Sequence, residues 1–188
     1  MGKLVVSEFV TLDGVMEDPG GGEPFERGGW AFQFERGAEG DKFKLDELVA
    51  ADALLLGRKT YEGFAAAWPS RTDEAGFADK MNSMPKYVIS TTLRDPEWQN
   101  STVIGVDEIA QLKERHDGDI LVAGSCRLVQ TLVEHDLVDE WRLMVFPVVL
   151  GSGKRLFAEG EARLSLKLAA SQTFSTGVLS LTYTPADA

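Results

Sequence analysis

Leu54-Leu55-Leu56-Gly57-Arg58-Lys59-Thr60-Tyr61-Glu62 decides how the rest of the chain is read. An apolar run ends at a glycine, two basic residues and a threonine follow, and a helical pattern begins. Physically this is a buried strand, a tight turn and a helix start. Such a corner attracts anions, because the first N–H groups of a helix lack intrahelical acceptors and the helix dipole presents its positive end there. Arg58 and Lys59 add two full positive charges at the same place.

Strand and helix patterns alternate outward from this corner. Upstream, residues 3–10 form an apolar, β-branched run closed by Thr11-Leu12-Asp13-Gly14. Residues 41–51 have helical spacing, with Leu45, Leu48 and Val49 on one face, and residues 53–56 are the strand of the corner. Downstream, helices are expected over 60–67, 73–83, 107–116 and 127–135, and strands over 86–90, 102–104, 119–123 and 140–149. Trp68-Pro69-Ser70 stops the first of these helices, and Pro147 interrupts the last strand. Residues 164–174 and 178–183 flank Ser175-Thr176-Gly177 as a hairpin. This order implies a three-layer α/β/α fold, a mainly parallel sheet with helices on both faces and an antiparallel C-terminal hairpin. No repeat or boundary divides it, so residues 1–188 are expected to form one domain.

The totals exclude several functions. A net charge of −11 disfavours nucleic acid and anionic membrane surfaces, which reward a basic face. One cysteine, Cys126, forms no internal disulfide, and with two histidines no usual metal-ligand cluster is available. Glu8 interrupts the first apolar run, so no secretory segment is read there, and no stretch approaches the ~20 apolar residues of a membrane span. A cytoplasmic location is expected. Asn100-Ser101-Thr102 is a sequon by coincidence, since no secretory signal accompanies it.

Between Gly14 and Gly40 no period is sustained, but Trp30, Phe32 and Phe34 stand in the stretch. A loop of this length is either a binding lid or a surface excursion, and three aromatics favour the lid. Trp30, Phe32, Tyr61 and Trp68 are the candidates to stack on a flat heterocycle; the alternative for each is a place in the core.

Three strand ends share one composition: Leu56-Gly57-Arg58-Lys59-Thr60, Ile89-Ser90-Thr91-Thr92 and Val122-Ala123-Gly124-Ser125. Ligands of open α/β sheets bind outside the carboxyl ends of the strands. Glycine lets a backbone approach closely, hydroxyls donate to phosphate oxygens, and arginine clamps them. Together these suit a dinucleotide, although each alone is ordinary turn or cap chemistry. Neither G-x-G-x-x-G nor a complete phosphate-loop pattern is present; Gly151-Ser152-Gly153-Lys154 lacks the earlier glycine.

These blocks carry a resemblance. Leu56-Gly57-Arg58-Lys59-Thr60-Tyr61-Glu62 resembles the cofactor signature of dihydrofolate reductases, Pro85-Lys86-Tyr87-Val88-Ile89-Ser90 their next strand, and Gly124-Ser125-Cys126-Arg127-Leu128 their glycine-rich turn. From Ala123 onward, Leu137-Val138-Asp139-Glu140 and the run from Pro147 to Phe157 are more similar to the reductase domain of bifunctional riboflavin-biosynthesis deaminase-reductases. The resemblance implies a dihydrofolate reductase-like fold, NADPH as cofactor and hydride transfer to a small heterocyclic substrate. Gly57, Arg58, Lys59 and Thr60 would hold the pyrophosphate and 2′-phosphate, with Ser90, Thr91 and Thr92 at the 2′-phosphate or adenine side. Ala123, Gly124, Ser125, Cys126 and Leu128 belong to the turn under the pyrophosphate and nicotinamide ribose, and Leu12, Asp13 and Gly14 begin the loop over the nicotinamide. Asp41 lies at the spacing of the acid that binds the pterin and would be catalytic; the alternative is a first-turn acid favourable to the helix dipole.

The resemblance also has departures. Ser125 replaces the second glycine of the reductase pair, and the Asp-Asp-Pro-type substrate segment of the riboflavin reductases is absent after Gly57. The strand over 140–149 and the C-terminal hairpin offer a sheet face, and the related domains pair in this region, so a homodimer is expected. The expected activity is that of a 5-amino-6-(5-phosphoribosylamino)uracil reductase, with a dihydrofolate or pterin reductase, or a non-catalytic NADP(H)-binding module, as alternatives.

Overall fold

The computed structural model describes residues 1–157, 159–160 and 163–186. Eight strands form one sheet in the order β4-β3-β2-β5-β1-β6-β8-β7. They are β1 Leu4–Thr11, β2 Ala51–Gly57, β3 Lys86–Ile89, β4 Ser101–Ile104, β5 Asp119–Val122, β6 Glu140–Phe146, β7 Leu166–Thr173 and β8 Leu179–Pro185. Strands β1 to β6 pair in parallel, while β8 runs antiparallel to β6 and to β7. The helices are α1 Gly37–Ala50, α2 Arg58–Ala67, α3 Phe77–Ser83, α4 Ile109–Arg115 and α5 Cys126–Glu134.

The central strands are mostly apolar because helices cover both faces; Ser7 and Glu8 of β1 are the buried polar exceptions. On one face Leu4, Val6 and Val10 of β1 pack with Ile109 and Leu112 of α4 and Leu128, Val129 and Leu132 of α5. On the other, Val5, Leu54, Leu56 and Leu121 pack with Leu48 of α1, Tyr61 of α2 and Met81 of α3. A third cluster, with Trp30, Phe146, Phe174 and Val178, closes the β6–β8 end.

Element ends differ from the expected ones for local reasons. Helix α3 starts at Phe77 rather than at Asp73, because the Asp73 carboxylate stays outside and accepts from the Phe77 and Ala78 amides at 2.9 and 2.6 Å. Strand β6 ends at Phe146, since Pro147 has no N–H for the ladder. Helix α1 begins at Gly37, four residues before Asp41. Lys86 at the start of β3 is fully buried, and its ammonium donates to the carbonyls of Asn82, Met84 and Gln99 at 2.8, 2.8 and 3.1 Å.

The register positions the site. Strand β5 stops at Val122, which pairs with Val6 on one side and Leu55 on the other. Its neighbours run on, β1 to Thr11 and β2 to Gly57. The early end of β5 leaves a notch between β1 and β2, and the chain leaving β5 crosses it as the turn into α5.

Candidate functional site

Two helix starts meet at this notch. Helix α2 begins immediately after β2, and no side chain caps its first turn. Arg58 is about half exposed and lies 3.7 Å from Glu62, Lys59 is exposed, and Thr60 is half-buried. Helix α5 begins after Ser125, whose hydroxyl accepts from the Leu128 amide at 3.4 Å. The Gly57 amide donates to the Gly124 carbonyl at 3.0 Å, which joins the two corners. Neither glycine tolerates a side chain: a Cβ on Gly57 would lie 3.0 Å from the Ser125 backbone nitrogen, and one on Gly124 2.7 Å from Thr60 Oγ1. Gly124 also has φ +98°, and the Gly124–Ser125 peptide is cis. Two positive helix ends, the uncapped amides of α2 and exposed cations at the carboxyl edge of the sheet make this a candidate anion site.

The third strand end closes the row. Ser90 Oγ accepts from the Thr92 and Leu93 amides at 3.2 and 2.9 Å and holds the turn after β3, while Thr91 and Thr92 are exposed. Opposite them, Leu12, Asp13 and Gly14 leave β1 and are stitched to residues 148–156. The Leu12 amide donates to Val148 O, Met16 to Lys154 O and Leu156 to Gly14 O, each at 2.9 Å. Asp13 accepts from the Thr11 hydroxyl and from the Leu150 and Gly151 amides, and these bonds, led by Thr11, hold its carboxyl down at about 2. Lys154 pairs with Glu17, and the Arg155 guanidinium donates to the Asp13 carbonyl, so both cations serve this stitch.

Several expected site residues lie elsewhere. Trp30 is completely buried, stacked edge-on against Phe146 at 5.5 Å with its indole N–H on the Glu17 carbonyl. Tyr61 is buried in the core, where its hydroxyl accepts from the Trp98 amide at 3.0 Å. Trp68 follows the last residue of α2, a helix of 10 residues, so it lies about 15 Å from the anion corner. It packs there on Phe77 and Arg71. Phe32 is 77% exposed. The side chain of Leu128 is core, and only its amide reaches Ser125. The Cys126 thiol donates to the Arg155 carbonyl, and burial pushes its pKa up, as suits a packing residue.

Asp41 lies apart from this corner. Its side chain is 65% exposed and paired with Arg36 at 2.6 Å, because α1 turns Gly40, Lys44, Glu47 and Leu48 inward instead. Glu47 is the buried carboxylate of this helix. It accepts from Ser7 Oγ at 2.8 Å, pairs with Lys44 and lies 3.6 Å from Arg142. A second buried acid, Glu8, lies under the Gly124 amide, and burial raises its pKa to about 8. In the sequence Glu8 is only a break in an apolar run. That break, an acid inside an otherwise apolar strand, is the one signal that could have found it.

Comparison with known proteins gives the family and the fold. The sequence profile of the RibD C-terminal domain matches residues 2–180. The uncharacterized protein YyaP of Bacillus subtilis is 31% identical over 188 residues, covering 96% of this chain and 94% of that one. YwjB of the same organism is 30% identical over 181 residues, covering 94% of each. Among solved structures, a candidate riboflavin biosynthesis protein of Shewanella sp. PV-4 superposes over both whole chains with a TM-score of 0.77 and 23% identity. Dihydrofolate reductase of Enterococcus faecalis, solved with NADP(H), gives 0.63 and 16% over 99% of this chain and 98% of that one. The fold is therefore dihydrofolate reductase-like.

Proposed function

Because this chain belongs to the RibD C-terminal domain family, we propose that it is an NADPH-dependent reductase of a small, flat nitrogen heterocycle or its sugar-phosphate adduct. The observation that carries this reading is the bonding of Gly57 to Gly124, which aims two helix starts at one place beside Arg58 and Lys59. An uncapped α2 start with two exposed cations fits a phosphorylated cofactor. Gly57, Arg58, Lys59 and Thr60 would hold its phosphates, with Ser90, Thr91 and Thr92 alongside; Ala123, Gly124, Ser125 and Cys126 would underlie its nicotinamide end. The loop from Leu12 to Gly14 borders that end and keeps its shape through the 148–156 stitch. When bound, the cofactor supplies the hydride; the chain's own part is placement and exclusion of water.

The first substrate candidate is 5-amino-6-(5-phosphoribosylamino)uracil. A pterin substrate is weakened by the position of Asp41 in solvent, where it pairs with Arg36. The test is loss of NADPH absorbance with 5-amino-6-(5-phosphoribosylamino)uracil, dihydrofolate or dihydropterins. Turnover of the uracil is expected. Saturable NADPH binding with no turnover of any of them would favour a binding module instead. Among the described residues no helix is long and apolar enough to cross a membrane. We place a homodimer contact on the β7–β8 hairpin, because β7 is exposed along nearly its whole length. A 20.5 kDa species by gel filtration would remove that contact.

A further inference from the structure

Glu8 shares the α5-facing side of β1 with Val6 and Val10, core residues of that face. It is 9% exposed. Val6 is the last β1 residue opposite β5; at Glu8 the partner strand has ended and the Gly124–Ser125 turn passes over instead. One carboxyl oxygen, Oε1, is buried with no hydrogen-bond partner among the described residues. Cys126 at the start of α5 shares its face, with Glu17 and Lys154 beyond the thiol, while Lys44 and Glu47 of α1, bonded to Ser7, act on it from the other side of the sheet. Burial outweighs the pulls of Lys44 and of the Gly124 amide, and Glu47 adds to burial, so the carboxyl is pushed up to about 8 and holds its proton far above the ordinary carboxylate range. A neutral acid with an unused oxygen, buried beneath the turn between two helix starts, is sensitive to any charge brought close to it.

We propose that Glu8 makes the cofactor site respond to the redox state of a nicotinamide: the neutral reduced ring is accepted with Glu8 protonated, and the cationic oxidised ring is bound with loss of the Glu8 proton. This rests on the NADPH reading given above. In the step, the carboxyl O–H bond breaks, its electron pair stays on the carboxylate and the proton passes to solvent. No electron moves between protein and cofactor. The carboxylate then offsets the ring's positive charge in a poorly solvated place, where such an interaction is stronger than in water.

The experiment is calorimetric titration of the whole chain with NADP⁺ and with NADPH from about pH 6 to about pH 9, in two buffers of different ionisation enthalpy. The ratio of the two dissociation constants cancels the titration of the 2′-phosphate, which both forms carry. With rising pH the ratio Kd(NADP⁺)/Kd(NADPH) should fall, by up to about tenfold per pH unit, and level off above about pH 8. NADP⁺ binding should release more protons than NADPH binding. In Glu8→Gln, which copies the protonated acid, the ratio should be flat and the excess proton release absent. A ratio independent of pH in the unaltered chain, or the same slope in Glu8→Gln, overturns the role of Glu8 while leaving the cofactor reading intact. Failure of both forms to bind overturns the cofactor reading and this inference together. If Glu8→Gln does not fold, the ratio and the proton count of the unaltered chain decide.

Discussion

The Gly57 amide donates to the Gly124 carbonyl at 3.0 Å, so the corners after β2 and β5 behave as one piece. Gly57 has φ −73°, which any residue adopts; its need for glycine is steric and comes from Ser125. Gly57→Ala should cost about 1–3 kcal/mol by forcing the two helix starts apart. The same variant should bind NADPH at least about tenfold more weakly. Urea unfolding and a cofactor titration measure both effects. An unchanged midpoint with unchanged affinity would show that the two corners are not coupled.

Asp13 holds the loop leaving β1 to the loop after β6. Its carboxyl lies at about 2 in the folded chain, below the ordinary 3.8. A carboxyl lowered by folding adds stability that is complete above its unfolded value and is lost as the pH falls through the folded one. The stabilisation should therefore be present above about pH 5 and disappear between about pH 4 and pH 2. Asp13→Ala should lose about 1–3 kcal/mol at neutral pH. Unfolding free energy followed against pH should then lack the Asp13 share of the acid-side loss. A variant as stable as the parent at neutral pH would contradict the role of the stitch.

Trp30 and Phe32 are two residues apart and should behave oppositely. Trp30 has no exposure, so Trp30→Ala should destabilise by about 3–5 kcal/mol. Phe32 is largely exposed, and Phe32→Ala should stay within about 0.5 kcal/mol. Thermal unfolding of the two variants separates them. A stable Trp30→Ala would mean that the tryptophan is free to meet a ligand.

The sequence made the central sheet legible because β1, β2 and β5 are mostly apolar on both faces and end at glycine or turn residues. The Gly57–Thr60 corner was legible for the same reason, since strand, glycine and helix follow one another without a gap. Aromatic side chains were not legible: Trp30 and Tyr61 look the same in the sequence whether they line a pocket or fill a core. Spacing placed Asp41 in a pocket, but helix phase decided otherwise. The earlier start of α1 and its inward set Gly40, Lys44, Glu47 and Leu48 put Asp41 in solvent. Glu8 was visible as an anomaly, yet its meaning needed the register, because only the early end of β5 shows which turn lies over it.

The central claim is that the Gly57–Thr60 corner is the phosphate end of an NADP site. Titration of the chain with NADPH and with NADH, followed by calorimetry, tests it most directly. NADPH should bind saturably and NADH at least about tenfold more weakly, a difference of about 1.4 kcal/mol that the 2′-phosphate would draw from Arg58 and Lys59. Replacing both Arg58 and Lys59 by alanine should remove most of that difference while leaving the fold intact, since both side chains lie toward solvent. No saturable binding of NADPH, or equal affinity for the two cofactors, would contradict the assignment.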